Sequence, residues 1–384
     1  MSVWAIICEY DPFHNGHKKQ IEEIKKQDKD AVIVAVMSGN FTQRGNAAIL
    51  HKYTRAKCAV LGGCDLVLEL PVEYAVSDAE HFAHGGVCIA NALGFVDYLC
   101  FGSECGDIET LKTVFGRLCS RKFKKKISSS KRGNKAYGEF MKSAYFDVYH
   151  EELTYGSNDI LALEYLHALY KIKSNIEPKT QKRCGGYNDT EICEYASATA
   201  VRRAVFENEA FGVSVPEFTE DEIEKAKEKG EIYSLCKASD AILSHIRLLN
   251  KNPAKNVSKS LFDRIRNASF ISENYDELIE RASCKCDSRS KCRRAVLELI
   301  FNFKRRGKIR SVLLLAASKK GTALLKNYCG KVKIITKPAD IKRYKDKEIS
   351  HIKNCFEADK LYTLCKDKKG DAGEFIKMSP YIEK

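Results

Sequence analysis

The chain of 384 residues has seven prolines and one tryptophan, and it contains no uncharged run of about 18 apolar residues. So few prolines leave no room for a long disordered linker, and without the apolar run there is no candidate membrane span. The opening MSVWAIICEY lacks the basic start of an export signal and runs at once into acidic and turn residues, so no signal peptide is expected. No internal repeat is visible, which argues against a solenoid. Cysteine is plentiful at 16, but the residues are scattered, and without an export signal they read as reduced thiols of a cytoplasmic protein.

An apolar fraction of 44% and a charged fraction of 30% describe a folded globular chain. The net charge of +14 is uneven: residues 1–100 hold 9 Lys/Arg against 12 Asp/Glu, leaving 56 against 39 beyond. The run Arg117 to Arg132 has no acidic residue, and further basic clusters lie at Lys291, Arg293, Arg294 and at Lys304, Arg305, Arg306, Lys308, Arg310. A polyanion such as RNA is one reading and a merely solvated basic surface the other. Lys122, Lys124, Lys125 and Lys126 are the candidate RNA contacts, in what could equally be a solvated or mobile loop.

The first hundred residues alternate short apolar runs with helical patterns, which predicts a Rossmann-like, doubly wound α/β unit with a parallel sheet. Strands are expected at Val3 to Cys8, Ala31 to Met37, Leu66 to Leu70 and Tyr98 to Phe101, with helices at His17 to Lys26, Thr54 to Leu61 and Asp78 to Leu93. The ligand should sit beyond the C-terminal strand ends. A helix follows at Ser157 to Leu169, capped by Ser157 or Asn158, then an extended Glu177 to Arg183, a Gly185-Gly186 turn and a helix opening at Ser197. Two domains are expected: an α/β domain over residues 1–210, and a mostly helical region over residues 211–384. The latter includes a small strand, helix, strand unit at Ser311 to Ala316, Thr322 to Asn327 and Lys331 to Thr336.

The chemistry concentrates after the first strand, in Glu9-Tyr10-Asp11-Pro12-Phe13-His14-Asn15-Gly16-His17. A turn at a helix N-terminus exposes backbone N–H groups that favour phosphate, and Gly16 lets the backbone come close. Two imidazoles, His14 and His17, can donate to phosphate oxygens as charge builds during attack at an α-phosphate. Alone, His-x-Gly-His could also be a metal pair or plain turn chemistry. A second cluster, Ser197, Thr199 and Arg202 in SATAVR, offers hydroxyls and a guanidinium that suit pyrophosphate, or else an ordinary capped helix.

The position of the histidine pair resembles the signature of the nucleotidylyltransferase and class I aminoacyl-tRNA synthetase (HIGH) superfamily. More closely, Glu9 to His17, Ser38 to Gly45 (SGNFTQRG), Gly63 to Pro71 (GCDLVLELP), Phe101 to Glu104, Ser157 to Leu169 and Ser197 to Arg203 resemble the tRNA(Met) cytidine acetate ligase family, densely to about residue 205 and more thinly beyond. That resemblance implies a two-step ligase. ATP and acetate would give acetyl-adenylate and pyrophosphate, and the acetyl group would pass to N4 of the wobble cytidine of elongator tRNA(Met), with Mg²⁺ helping through the phosphates. It implies that the nucleotide is held by the stretch Ile7, Cys8, Glu9, Tyr10, Asp11, Pro12, Phe13, His14, Asn15, Gly16, His17, Lys18, Lys19, Gln20, and by Gly102, Asn158 and Arg183. Asp11 stands where the family usually has Asn, Ser157 where it often has Pro, and Asp159 where a second Asn is common. A carboxylate at position 11 would repel triphosphate unless Mg²⁺ or a base intervenes.

No metal site is expected in the protein itself: Cys284, Cys286 and Cys292 lack paired C-x2-C spacing, and His81 and His84 read as surface helix residues. Two other functions fit the residues less well. One is a nucleotidylyltransferase that adenylates a small phosphorylated metabolite, and the other a non-catalytic RNA-binding module.

Overall fold

The computed structural model describes residues 1–131, 133, 137–153, 156–183, 191–303, 307–326 and 328–383. Arg132, the Gly185-Gly186 turn, the Lys304 to Arg306 cluster and Asn327 lie outside them. Among the described residues eight strands, β1 (Val3–Cys8), β2 (Val32–Ser38), β3 (Leu66–Leu70), β4 (Tyr98–Ser103), β5 (Glu177–Lys182), β6 (Ser311–Ala317), β7 (Lys333–Ile335) and β8 (Tyr381–Ile382), form one sheet. Its order is β5-β4-β1-β2-β3-β6-β7, with β8 also on β6, and every pairing is parallel except β3 with β6.

The central strands β1, β2 and β3 are apolar except for Ser38 and Glu69 because both faces are covered. Side chains alternate across a strand, so Trp4, Ile6 and Cys8 of β1 enter one core while Val3, Ala5 and Ile7 enter the other. The first core is closed by helices Asn15–Gln27 and Lys52–Leu61 and by the C-terminal helices, among them Arg289–Phe301 and Asp346–Tyr362. The second is closed by helices Ala79–Leu93, Ile108–Cys119 and Ser157–Lys171. Strand β5 (EPKTQK), polar and partly exposed, forms one edge, as suits an edge that must resist further pairing.

The expected boundary near residue 210 follows helix Ala198–Glu207. The strand, helix, strand unit beyond it is present as β6, helix Lys319–Lys326 and β7, and β6 pairs antiparallel with β3, setting Leu66 opposite Ala317. This contact satisfies backbone groups along β3 that would otherwise be buried unpaired.

A buried ion cluster ties the same regions together. Lys52, with no exposed surface, places Nζ 2.8 Å from Glu69 Oε1 and 2.7 Å from Asp359 Oδ2. Asn40 donates to the other Asp359 oxygen at 2.8 Å and accepts from the Lys52 N–H at 2.7 Å. The loop after β2 is thereby fixed to helix Asp346–Tyr362.

Candidate active site

Leaving β1, the chain builds β2 and β3 on one side and later returns to place β4 and β5 on the other. A crevice at such a switch point, outside the C-terminal strand ends, is where open α/β sheets bind ligands. A cavity of about 580 Å³ lies there, floored by Ile6, Ile7 and Cys8 from β1 and by Phe101 and Gly102 from β4.

The helix after β1 begins at Asn15 rather than His17, because His14 caps it. His14 Nδ1 accepts from the Gly16 N–H at 3.1 Å, and His17 Nδ1 accepts from the His14 N–H at 3.2 Å. The rings stack with centroids 3.6 Å apart, and a Cβ on residue 16 would lie 2.9 Å from the His14 ring, so glycine is needed for this fit. Burial, reinforced by Arg183 and Arg202, pushes His14 down to about 3. Burial, with His14 and Arg183 adding to it, holds His17 well below its ordinary value. Both rings are therefore neutral at pH 7, and since each uses Nδ1 as acceptor, each carries its proton on Nε2. Both line the cavity.

Of the remaining Ile7 to Gln20 stretch, Glu9, Tyr10, Asp11, Gly16, Lys19 and Gln20 also line the cavity, whereas Pro12, Phe13, Asn15 and Lys18 do not. Phe13 is fully buried against the Tyr10 and His17 rings, where it supports the loop from behind. The Asn15 amide donates to the Glu194 and Val213 carbonyls at 3.1 and 2.9 Å, and Lys18 points to solvent.

Asp11 is buried, and the base that a carboxylate here requires is Arg202. Asp11 Oδ1 accepts from the Ile49 N–H at 2.8 Å, while Arg202 Nη1 lies 3.6 Å from Oδ2 and donates to the Asp11 carbonyl at 2.6 Å. Arg202 Nη2 also donates to Thr199 Oγ1 at 3.1 Å. Ser197 caps helix Ala198–Glu207, accepting from the Ala200 N–H at 3.1 Å. Ser197, Thr199 and Arg202 all reach the cavity wall.

Across the cavity, Arg183 Nη1 donates to Asn158 Oδ1 at 2.7 Å, and Asn158 Nδ2 donates to Glu104 Oε1 at 2.6 Å. The cap expected from Ser157 or Asn158 is absent. Gly156 holds the cap position without a side-chain bond, and Glu104 instead accepts from the Asn158 and Asp159 N–H groups at 3.2 and 2.8 Å. An anion reaching in from another element meets the same positive helix end that a local cap would. Although burial pulls upward, these bonds keep the Glu104 carboxyl below its ordinary value. Burial lowers Arg183. Gly102 leaves room for it, since a Cβ there would sit 3.0 Å from the Arg183 side chain.

Glu104 had no role in the sequence reading, nor did the loop after β2, whose Thr42, Gln43, Arg44 and Asn46 form a further wall. The only signal for it was the QRG step of the SGNFTQRG motif. The four lysines are placed elsewhere: Arg121–Ser129 is a helix capped by Ser120, not a loop, and none of its residues lines the cavity. Lys122 donates to the Val148 carbonyl at 3.0 Å and Lys126 pairs with Asp147 at 2.7 Å, while Lys124 and Lys125 are exposed. His81 pairs with Asp78, the cap of its own helix, at 2.7 Å.

The carboxylates nearest the cavity do not fit a protein cage for Mg²⁺. Asp11 is engaged as described, Glu9 accepts from the Gln43 N–H at 2.6 Å, and among the described residues no three acidic, His or Cys side chains converge.

A profile of the HIGH Nucleotidyl Transferase family matches residues 1–374. The tRNA(Met) cytidine acetate ligase of Thermoanaerobacter sp. (strain X514) is 35% identical, with 98% of each chain covered. The chain belongs to the tRNA(Met) cytidine acetate ligase family. Another member, from Thermosipho africanus (strain TCF52B), is 37% identical over 79% of this chain and 75% of its own. The crystal structure of apo Thermotoga maritima TmcAL superposes with a TM-score of 0.91 at 28% identity over the whole of both chains. That of the same protein bound with alpha-thio ATP superposes with a TM-score of 0.88 at the same identity and coverage. The α/β sheet and its helices are thus the family's fold. Among the described residues no helix is long and apolar enough to cross a membrane.

Proposed function

We propose that the chain is an ATP-dependent tRNA acetate ligase. It activates acetate as acetyl-adenylate with release of pyrophosphate, then acetylates N4 of the wobble cytidine of elongator tRNA(Met) in the cytoplasm. One observation carries this reading: two stacked, neutral imidazoles stand at the C-terminal end of β1 in the same cavity as Arg183 and Arg202.

Acetate is already ionised at neutral pH, so the first step needs alignment and charge stabilisation rather than a strong base. His14 and His17 donate from Nε2 to phosphate oxygens as the acetate oxygen bonds to the α-phosphorus and the bond to pyrophosphate breaks. Being neutral beforehand, they give up no proton and need no reorganisation. Arg202, aimed by Thr199 and Asp11, meets the β and γ phosphates, and Arg183, aimed by Asn158 and Glu104, meets the α-phosphate or adenylate. In the second step the cytidine amine attacks the acetyl carbon and AMP leaves, which requires a base turned out of the anticodon loop. Mg²⁺ would come with the nucleotide, held by its phosphates. Residues 1–210 supply the cavity, and the basic surfaces beyond residue 100 hold the RNA.

Mass analysis of nucleosides from elongator tRNA(Met), incubated with the protein, ATP and labelled acetate, should show label in N4-acetylcytidine. Label that never enters RNA while ATP is consumed would overturn the assignment of the acceptor.

A further inference from the structure

The crevice has two sides. Ile7 of β1 and Phe101 of β4 turn to the face of the sheet covered by helices Ala79–Leu93 and Ser157–Lys171, whereas the two histidines belong to the start of helix Asn15–Gln27, which covers the other face. On helix Ser157–Lys171, Asn158, Leu161 and Tyr165 follow one another at helical spacing along the cavity wall. Tyr165 therefore stands about 10 Å further along the helix than Asn158, the residue that aims Arg183. Tyr165 is 2% exposed, with its ring packed on Phe101 at a centroid distance of 5.4 Å. Among the described residues its hydroxyl has no hydrogen-bond partner, yet it is not sealed from probes as the unpartnered Ser38 and Tyr275 hydroxyls are. The open space that Tyr165 borders is the cavity. Burial, with Cys8 and Glu9 adding to it, holds the phenol well above its ordinary pKa, so it meets a ligand as a hydrogen-bond donor. The wall shared with it is apolar, formed by Ile7, Phe82, Phe101 and Leu161. One free donor in an apolar wall suits a small ligand with one polar end and one apolar end.

We propose that this side of the cavity is the acyl subsite, in which the Tyr165 hydroxyl donates to one carboxylate oxygen of acetate while Ile7, Phe82 and Phe101 enclose its methyl group. The other carboxylate oxygen is left to bond to the α-phosphorus as the bond to pyrophosphate breaks. In the acetyl-adenylate the oxygen held by Tyr165 is the carbonyl oxygen, where negative charge builds as the cytidine amine attacks. Glu9 borders the same cavity, but it is turned to the Gln43 N–H and pushed toward neutrality by burial, so it opposes a second carboxylate less than an open one would. Phe82, on the helix facing Tyr165, sets the length of acyl chain that fits. The inference rests on the ligase reading for the identity of the acyl donor and adds where that donor lies.

The test measures ATP–pyrophosphate exchange without RNA for the full chain, Tyr165→Phe and Phe82→Leu, with acetate or propionate as the acyl donor. Tyr165→Phe keeps the ring on Phe101 and removes only the donor. Its KM for acetate should rise about tenfold or more, the loss expected for a hydrogen bond to a charged group, while its KM for ATP stays within about twofold. Phe82→Leu should raise the preference for propionate over acetate in kcat/KM by about tenfold, since one methylene is worth at least that much in an apolar pocket. A KM for acetate that Tyr165→Phe leaves unchanged, or a KM for ATP that rises in step with it, overturns the subsite. So does an unchanged acyl preference in Phe82→Leu. Absence of acetate-dependent exchange in the unsubstituted chain is a different failure, because it overturns the ligase reading itself and the subsite with it.

Discussion

Lys52 is fully buried and Arg183 partly so, and their surroundings differ. The Lys52 ammonium is met by two carboxylates, which hold it well above its ordinary pKa against the opposing pull of burial. The Arg183 guanidinium is met by the Asn158 amide, with the Glu104 carboxylate one hydrogen bond further back. In the first place charge is closed on itself. In the second, Arg183 is oriented by a neutral amide and lines the cavity beside two imidazoles kept neutral. The ion cluster fastens the chain, whereas the cavity carries its guanidinium groups on its wall.

The comparison breaks most sharply at the histidines. His14→Ala or His17→Ala should lower acetate-dependent pyrophosphate release by about 10²–10³-fold or more, the loss typical of a transition-state hydrogen-bond donor. Binding of tRNA should change little. Normal turnover by either variant would leave the two neutral rings in this cavity without a catalytic meaning.

Lys52→Met tests the closed cluster. It leaves Glu69 and Asp359 buried without their cation, which should cost about 3–5 kcal/mol of stability, read as a lower denaturant midpoint. Arg183→Met should cost far less stability, since the amide it leaves behind is uncharged, and should act on ATP affinity. Equal losses of stability would erase the distinction between the two sites.

A third prediction concerns protons. His14, lowered to about 3 by burial, and His51, lowered to about 4 also by burial, are neutral when folded but bind protons near pH 6.5 when unfolded. The unfolded chain therefore holds more protons below that pH, and stability should fall as pH drops from 6.5 toward 4. Each group contributes up to about 1.4 kcal/mol per pH unit. Replacing His14 by Asn should flatten the slope by one group's share, and ATP should flatten it less, by drawing the pKa upward. A slope that His14→Asn leaves unchanged would mean that this ring is not buried neutral.

The same contrast separates what was legible in the sequence from what was not. Strands β1 to β4 and the cavity at their ends announced themselves through local patterns, because short apolar runs, helix periods and a His-Asn-Gly-His turn are all contiguous. The antiparallel pairing of β3 with β6 joins residues far apart in the chain, and no periodicity encodes it. Lys52 in HKYTRAKCAV looks like any surface lysine until Asp359 is folded against it. The Glu104 cap was missed for a related reason, since the helix end it satisfies lies some fifty residues on and offers plausible local caps of its own. Arg202 stood out in the sequence as a candidate to bind phosphate, but its partnership with Asp11 is visible only in three dimensions.

The smallest expected effect lies at the basic helix Arg121–Ser129. Composition alone makes Lys122, Lys124, Lys125 and Lys126 equivalent, and the fold does not. Lys122, itself exposed, and Lys126 are already engaged by helix Tyr137–Tyr149, whereas Lys124 and Lys125 are exposed without such a contact to that helix. Each phosphate contact adds about 0.7–0.9 to the salt slope of RNA binding. If this helix touches the RNA at all, replacing all four lysines by Gln should flatten the slope by the equivalent of about two contacts rather than four, and Lys124→Gln with Lys125→Gln should reproduce most of it. A four-contact change would mean that the paired lysines let go of Asp147 and Val148 to meet phosphate. No change would confine the RNA grip to surfaces nearer the cavity, where unlike this helix the positive groups are aimed by the fold and not merely abundant.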